Sequence, residues 1–304
     1  MHNEIEKPKG NFTAEICSNH QVGPKFYRLG LEFSARAAKI FAKAKPGQFL
    51  ELDLSSAALP PSEVIPAELA DACRRKILLR RPFSFFNVAT DSERTTLDIL
   101  YCVLGAGTLR MTTLSKGESI SIIGPLGNGF CVPQGKQTAL LVAGGMGAPP
   151  LLHLTETLVG DYPDIRIIAF AGAKTKEELL FETQLDRPAA EKIERITATD
   201  DGSAGYRGFI TDCFTKWLKE NPVTADETMI YSCGPEEMLA KVAQTAKEKN
   251  IDCQISMERL MACGIGLCQS CAVECRVEGE GQTVYKLCCK DGPVFDTKEV
   301  VFKL

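Results

Sequence analysis

The sequence has no long apolar run and no apolar segment near its N-terminus. Its longest apolar stretch, TALLVAGGMGAPPLL, is too short and too rich in glycine and proline to span a bilayer. The N-terminus, MHNEIEKPKG, is polar and has no apolar core of the kind found in signal peptides. We therefore expect a cytoplasmic protein with no membrane span. In that compartment thiols stay reduced and stable disulfides are rare.

The chain also lacks an excess of charge of either sign. Its formal net charge is −4, and a content of 24% charged and 44% hydrophobic residues is ordinary for a globular protein. This balance argues against a general affinity for nucleic acid or anionic lipid. Internal repeats and low-complexity segments are absent as well, so the 304 residues predict two or three globular domains.

Cysteine, by contrast, is abundant, and it is concentrated in one place. Four of the 13 cysteines lie in MACGIGLCQSCAVEC at 261–275. Cys263, Cys268 and Cys271 have the spacing C-x4-C-x2-C, which is typical of plant-type [2Fe–2S] ligation with a fourth cysteine further along the chain. The spacing therefore predicts an iron–sulfur cluster.

Gly264 and Gly266 permit positive φ angles that bring backbone N–H groups near the cluster sulfides. The segment YKLCCKDGPVF offers Cys288 or Cys289 as the fourth ligand. Structural zinc usually binds paired C-x2–4-C motifs, and two adjacent cysteines cannot easily both bind one ion, so we favour iron–sulfur over zinc or reduced structural thiols. Five other cysteines stand alone in apolar segments and are expected to be small buried hydrophobic residues: Cys17, Cys73, Cys102, Cys131 and Cys213.

The rest of the chain divides into blocks with different patterns. Residues 1–133 contain six apolar or alternating segments bounded by turn residues, which predict an antiparallel β-barrel interrupted by a Pro-rich stretch at 55–75. Residues 134–249 alternate strand and helix four times, which is typical of a doubly wound parallel α/β domain. Residues 250–304, with the cysteines, form the third predicted domain. Helices of the α/β block are predicted at APPLLHLTETLVG, KEELLFETQLDRPA, FITDCFTKWLKEN and PEEMLAKVAQTAKEKN.

Two turns of the first block have the residues to bind a flavin nucleotide. RPFS at 81–84 combines a fixed cation, a rigid turn, an aromatic ring and a hydroxyl. Arg81 can form bidentate contacts with a phosphate, and Ser84 can hydrogen-bond a flavin ring atom. GAGT at 105–108 can offer backbone N–H groups to a pyrophosphate. Taken singly, each motif fits a structural turn equally well.

Two turns of the second block lie where ligands bind in open α/β sheets, after the carboxyl end of a strand. AGGMGAPP does not contain the G-x-G-x-x-G of the Rossmann fingerprint. Gly144, Gly145 and Gly147 nevertheless allow a dinucleotide to lie close to the backbone. SCGP has the same placement and could bring Cys233 beside a nicotinamide. The alternatives for these motifs are a tight βα turn and a buried thiol.

Together these motifs resemble a known family. A barrel with R-P-x-S, followed by G-G-x-G-x-x-P on an α/β sheet and then C-G-P, is similar to the ferredoxin–NADP reductase superfamily. The C-terminal C-x4-C-x2-C and C-x-D-G-P-V-F narrow the resemblance to the electron-transfer subunits of NAD-linked dihydroorotate dehydrogenase B, over essentially the whole chain.

The resemblance implies FAD, a [2Fe–2S] cluster and NAD as cofactors. It also implies that Cys289, and not Cys288, is the fourth cluster ligand. The expected FAD-binding residues are Arg81, Pro82, Phe83, Ser84, Leu100, Tyr101, Cys102, Gly107 and Thr108. NAD is expected at Gly144, Gly145, Gly147, Cys233, Gly234 and Pro235, and the cluster at Cys263, Cys268, Cys271 and Cys289.

The function implied by the resemblance is electron transfer in de novo pyrimidine biosynthesis. Electrons would come from a partner, the FMN-containing catalytic subunit that oxidises dihydroorotate, and would pass through the cluster and FAD to NAD⁺. A flavin is needed between the cluster and NAD because nicotinamide exchanges electron pairs and a cluster exchanges single electrons, whereas a flavin does both. The dihydroorotate site would lie on the partner, so no catalytic acid or nucleophile is expected here. The family suggests a heterotetramer of two plus two subunits.

Three alternatives remain open on the sequence. The first is an NAD(P)H-linked electron-transfer subunit of the same superfamily that serves a hydrogenase, a sulfite reductase or a ferredoxin. The second is a zinc-stabilised interaction module without redox function. The third is a redox sensor, which would usually need a DNA-binding or signalling element that the sequence does not show. Lys174 and Lys176 hint at a 2′-phosphate, but the resemblance favours NAD over NADP.

Overall fold

A computed structural model describes residues 10–181, 192–277, 279 and 281–303. The chain divides into two compact units, each assembled from segments that are distant in sequence. The three domains expected from the sequence are not tested by this division into two units and remain a prediction. Unit 1 comprises Met1–Ala44, Gln48–Leu126 and Met261–Cys268, and unit 2 comprises Lys45–Gly47, Gly127–Leu260 and Gln269–Leu304.

Unit 1 is built on an antiparallel sheet of seven strands, which confirms the predicted β-barrel as a half-barrel. The strand order is β4-β3-β7-β1-β2-β6-β5. Alternation of apolar and polar residues along strands such as TTLDILYC directs one face of the sheet into a core, where the rings of Phe33 and Phe41 stack with centroids 4.0 Å apart. The strands are β1 Gly10–Gln21, β2 Phe26–Ser34, β3 Phe49–Leu52, β4 Arg81–Ser84, β5 Asn87–Thr90, β6 Arg94–Cys102 and β7 Ser119–Leu126.

The connections of unit 1 contain short helices. The Pro-rich stretch at 55–75 forms two 3₁₀ turns and one short helix. The apolar segment FSFFNVA is divided between β4 and β5, and the two buried phenylalanines Phe85 and Phe86 lie between the two strands. The helices are α1 Ala35–Phe41, α2 Ala70–Cys73 and α3 Ala106–Met111, and the 3₁₀ turns are Ser62–Val64 and Ala67–Leu69.

Unit 2 is built on a seven-stranded sheet of order β11-β10-β9-β8-β12-β13-β16, in which only β16 is antiparallel to its neighbour. This confirms the predicted parallel α/β fold. The central strands are buried on both faces and therefore read as continuous apolar runs such as TALLVAG and TMIYSC. The strands are β8 Thr138–Gly144, β9 Arg166–Ala173, β10 Ile193–Thr199, β11 Tyr206–Arg207, β12 Thr228–Cys233, β13 Asp252–Ser256 and β16 Val294–Asp296.

The predicted helices of unit 2 are present where the structure describes them. They are α4 Ala148–Asp161, which begins with two prolines, α5 Ile210–Glu220 and α6 Glu236–Lys249. The last carries glutamates in its first turn and lysines in its last, which complements the helix dipole. Of the predicted helix KEELLFETQLDRPA, the start forms a 3₁₀ turn at Lys176–Glu178, and residues 182–191 lie outside the described residues.

The C-terminal part of unit 2 adds an antiparallel hairpin of β14 Ala272–Arg276 and β15 Thr283–Leu287. No helix in the described ranges is long and apolar enough to cross a membrane. The expectation that the isolated cysteines are buried is correct for Cys73, Cys102 and Cys213. It is wrong for Cys17, which is only half-buried, and for Cys131, which is exposed. Cys131 lies in an irregular segment where its own carbonyl oxygen accepts the hydroxyl of Tyr231 at 3.1 Å.

Candidate functional site

The RPFS segment forms an edge strand of unit 1 and remains partly accessible. β4 pairs with β3, and Ser84 lies opposite Phe49 in the register. Arg81 donates from Nη1 to the carbonyl oxygens of Leu79 at 2.8 Å and Arg80 at 3.2 Å, which orients its guanidinium. A cation held in this way can bind a phosphate without losing much conformational entropy.

The GAGT turn lies against the same arginine. A Cβ built on Gly107 would lie 3.5 Å from Cγ and 3.6 Å from Nε of Arg81, so the two motifs are adjacent in space. The Thr108 hydroxyl accepts the N–H groups of Leu104 at 2.9 Å and Gly105 at 3.2 Å, which fixes the start of α3. The fold therefore brings together the two motifs that the sequence proposed for a flavin nucleotide.

The residues at the end of β6 that were expected to contact FAD are buried, unlike those of β4. Leu100, Tyr101 and Cys102 are buried, and the hydroxyl of Tyr101 donates to Asn19 Oδ1 at 3.1 Å. Burial raises the pKa of Tyr101 above its ordinary value. Because their side chains belong to the core, these three residues can offer a ligand only their backbone. Phe83, with its ring centroid 6.5 Å from that of Tyr101, is more accessible.

In unit 2 the two glycine motifs meet at the carboxyl ends of neighbouring parallel strands, since Ala143 on β8 lies opposite Cys233 on β12. A Cβ on Gly147 would lie 1.9 Å from the carbonyl oxygen of Cys233, a distance that no side chain tolerates. A Cβ on Gly145, in contrast, would meet open space, although its φ of +52° favours glycine. Gly147 thus allows close packing, and Gly145 leaves room for a ligand.

A cavity of about 390 Å³ opens beside these turns, which is within the usual size range of ligand pockets. Gly144, Gly145 and Pro235, three of the residues expected to bind NAD, line it. Cys233 is instead buried beneath the surface, and burial raises the pKa of its thiol. Of the other lining residues, sequence reasoning named only Lys174. Asp200 could have been found by the same rule of strand ends, because it directly follows β10. The other lining residues are Gly172, Ala173, Lys174, Glu178, Asp200, Phe209, Ile210, Thr211, Glu237, Met238 and Lys241.

The cysteine segment contributes to both units. In unit 1, the N–H of Cys268 points at Cys263 Sγ at 3.4 Å, and the chain between them turns through Gly264 at φ +63° and Gly266 at φ +88°. Positive φ at both glycines fits the tight loop expected around an iron–sulfur group. Backbone N–H groups aimed at sulfur also stabilise a thiolate ligand.

In unit 2, the β14–β15 hairpin joins the remaining cysteines because Ala272 lies opposite Leu287. The N–H of Cys289 points at Cys271 Sγ at 3.4 Å. Cys288, in contrast, donates its thiol proton to the carbonyl oxygen of Met257 at 3.2 Å, and burial raises the pKa of that thiol. These contacts support Cys289 over Cys288 as the fourth ligand.

The donor chemistry fits a [2Fe–2S] group, because the thiols of Cys263 and Cys271 each receive a backbone N–H, from Cys268 and Cys289 respectively. Within the described part of the chain, no three His, Cys, Asp or Glu side chains are arranged as ligands of a single metal ion. The ligand assignment remains a prediction.

One residue near the cysteine segment had no signal in the sequence. Glu51, on β3, is 1% exposed and lies against Gly264 of the cysteine segment in unit 1. Burial raises the pKa of its carboxyl; Arg80 and Arg81 oppose this shift, and Cys268 adds to it.

Comparison with known proteins gives two family matches. Residues 258–301 match the iron–sulfur cluster binding domain of dihydroorotate dehydrogenase B, and residues 141–244 match the oxidoreductase NAD-binding domain. A curated relative from Bacillus cereus (strain G9842), "Dihydroorotate dehydrogenase B (NAD(+)), electron transfer subunit", is 37% identical over 288 residues, covering 94% of this chain and 96% of the relative. A Bacillus anthracis (strain A0248) protein of the same name has the same identity and coverage.

Solved structures show the same fold. An NADH-dependent reduced ferredoxin–NADP oxidoreductase aligns with a TM-score of 0.72 and 24% identity, covering 96% of this chain and 91% of that one. A ferredoxin NADP⁺ reductase from Neisseria gonorrhoeae, solved with bound FAD and NADP, aligns with a TM-score of 0.58 and 16% identity, covering 79% and 91%. At these identities the likeness concerns the fold alone.

Proposed function

We infer that this chain, which belongs to the family of electron transfer subunits of NAD(+)-dependent dihydroorotate dehydrogenase B, passes electrons from a dihydroorotate-oxidising partner subunit to NAD⁺. Its own carriers are a [2Fe–2S] cluster and FAD. The observation that carries the proposal is the match of a family-specific cluster domain at 258–301 in a chain that is otherwise folded as a flavin and nicotinamide reductase. The pathway it serves is de novo pyrimidine biosynthesis.

Bound FAD supplies both one-electron and two-electron chemistry, which a nicotinamide and an iron–sulfur cluster together require. In this chain Arg81 and the backbone at Gly107 bind the pyrophosphate, since the two lie side by side at the edge of the half-barrel. Ser84 and Phe83, on the partly accessible β4, hold the flavin ring. The residues position the cofactor and do not act as acids, bases or nucleophiles.

NAD lies in the cavity beside Gly145, where a Cβ would meet no protein atom. Gly144, Gly147 and Gly234 support this site by close packing of the two strand ends. Cys263, Cys268, Cys271 and Cys289 bind the cluster, and backbone N–H groups directed at two of these sulfurs stabilise them as thiolates.

The proposed partner is an FMN-containing catalytic subunit, in an assembly of two chains of each kind in the cytoplasm. Two apolar side chains of the cysteine segment, Leu267 and Ile265, are 77% and 40% exposed, which supports contact of this segment with another protein. The mass of the anaerobically purified complex, measured by native mass spectrometry, tests the stoichiometry.

Replacement of a cluster ligand tests the proposed order of carriers. In Cys268→Ser we expect loss of cluster absorbance and of dihydroorotate-dependent NAD⁺ reduction, because electrons can no longer enter. NADH-dependent reduction of a dye through FAD should persist. Cys288→Ser is the matched control, because the thiol of Cys288 donates a hydrogen bond to the carbonyl oxygen of Met257 and is not one of the proposed ligands.

The outcomes separate the alternatives. A Cys268→Ser protein that is folded and FAD-loaded but has lost dye reduction contradicts this order of carriers. Zinc in place of iron and sulfide in the unmodified protein would support the interaction module. A cluster and FAD that respond to NADH but never to dihydroorotate, with any co-purified partner present, would favour a subunit of another reductase.

A further inference from the structure

Glu51 is a carboxyl group in a place where apolar residues are expected. All four residues of β3 are buried, and this strand lies between β4 and β7, with Glu51 opposite Pro82 on one side and Ile123 on the other. Within the described ranges, neither carboxylate oxygen has a hydrogen-bond partner. Burial of such a group is unfavourable unless something compensates, so its presence calls for a ligand or a charge that it serves.

The carboxyl is directed at the cysteine segment. A Cβ built on Gly264 would lie 2.4 Å from Cδ, 2.5 Å from Oε1 and 2.8 Å from Oε2 of Glu51. The carboxyl therefore fills the space beside the backbone that links Cys263 to Cys268. Glycine at 264 is required both by this contact and by its φ of +63°.

The nearby cations do not neutralise Glu51 by direct pairing. Arg80 donates to the carbonyl oxygen and hydroxyl of Ser121, both at 2.9 Å, and Arg81 donates to the carbonyl oxygen of Leu79. Both arginines act on Glu51 only through space. Among the described residues, the carboxyl is thus left without a paired cation where it faces Gly264 of the cysteine segment.

We propose that Glu51 is a positioning residue of the cluster segment, which shapes the loop at Gly264 and makes the iron–sulfur group held by Cys263 and Cys268 harder to reduce. This inference rests on the proposed function. Reduction adds one negative charge to the cluster, and a fixed carboxylate in a poorly solvated position opposes that addition. An uncharged side chain of the same shape removes the opposition and leaves the packing in place.

The first experiment measures the cluster midpoint potential of Glu51→Gln by an anaerobic titration followed by EPR at pH 8. We expect about a tenfold rise in the ratio of reduced to oxidised cluster at a fixed potential, which equals about 59 mV for one electron. Glu15→Gln is the matched control, because Glu15 is exposed on β1, two strands away from β3 in the sheet. A loaded Glu51→Gln cluster with the wild-type potential would overturn the inference.

A second experiment does not need the cluster. In a double-mutant cycle, Gly264→Ala should lower the thermal unfolding midpoint by more in wild-type protein than in Glu51→Ala, because only the wild type contains the carboxyl that the new Cβ would meet. Equal losses in both backgrounds would refute the contact. Wild-type protein without iron and sulfide would instead refute the proposed function, so the two failures are distinguishable.

Discussion

Substitution of Gly147 by alanine tests the packing that forms the nicotinamide side of the site. The new Cβ would lie 1.9 Å from the carbonyl oxygen of Cys233, 2.2 Å from its carbonyl carbon and 2.6 Å from the nitrogen of Gly234. These are backbone atoms of β12 and its following turn, which cannot rotate away as a side chain can. The two strand ends must therefore separate, at a cost of about 3 kcal/mol, the upper part of the usual range for overpacking.

The expected result is a fall in the thermal unfolding midpoint of about 6–12 °C, from about 2–4 °C for each kcal/mol. The KM for NADH in dye reduction should rise about tenfold or more, since the cavity is formed by the same turns. Gly160→Ala is the matched control because Gly160 lies near the end of α4 with open space around it. Gly147→Ala with wild-type stability and wild-type KM would refute the proposed packing.

The remaining predictions concern charge, cofactor and ligand choice. Burial lowers the pKa of His153 from 6.5 to about 4, so as the pH falls the unfolded chain takes up a proton before the folded protein does. The free energy of unfolding should therefore fall by about 2 kcal/mol between about pH 7.5 and pH 5. Urea titrations of His153→Leu should show a smaller fall over the same pH range. Arg81→Ala should weaken FAD binding at least tenfold in fluorescence titrations, with Arg81→Lys intermediate, and an unchanged affinity would exclude the phosphate contact. Cys289→Ser should lose iron and sulfide in chemical analysis while Cys288→Ser retains them, and the reverse result would exchange their roles.

Much of the fold follows from local patterns in the sequence. Continuous apolar runs and strand-to-helix alternation predicted the parallel sheet of unit 2, and Gly144, Gly145 and Pro235 were placed at its ligand-binding edge by the rule of strand ends. Pairing of β14 with β15, which brings Cys271 near Cys289, is a long-range event that no spacing rule specifies. The choice of Cys289 came from the resemblance to a family.

Other features could not be read from the sequence because they depend on tertiary surroundings. Nothing in GQFLELDL indicates that Glu51 is buried, but all four residues of β3 are buried and the carboxyl with them. Tyr101 and Cys102 were expected to contact FAD, and their side chains prove to be part of the core of the half-barrel. The pattern of a strand shows which residues share a face, but not what covers that face.

The most direct test of the account is the assay of the anaerobically purified protein, taken from its own host with whatever subunits accompany it, for reduction of NAD⁺ by dihydroorotate. We expect a coloured complex that contains FAD, iron and sulfide, together with a flavoprotein partner, and that forms NADH when dihydroorotate is added. A complex that carries these cofactors and partner and reacts with NADH, yet never reduces NAD⁺ with dihydroorotate, would contradict it.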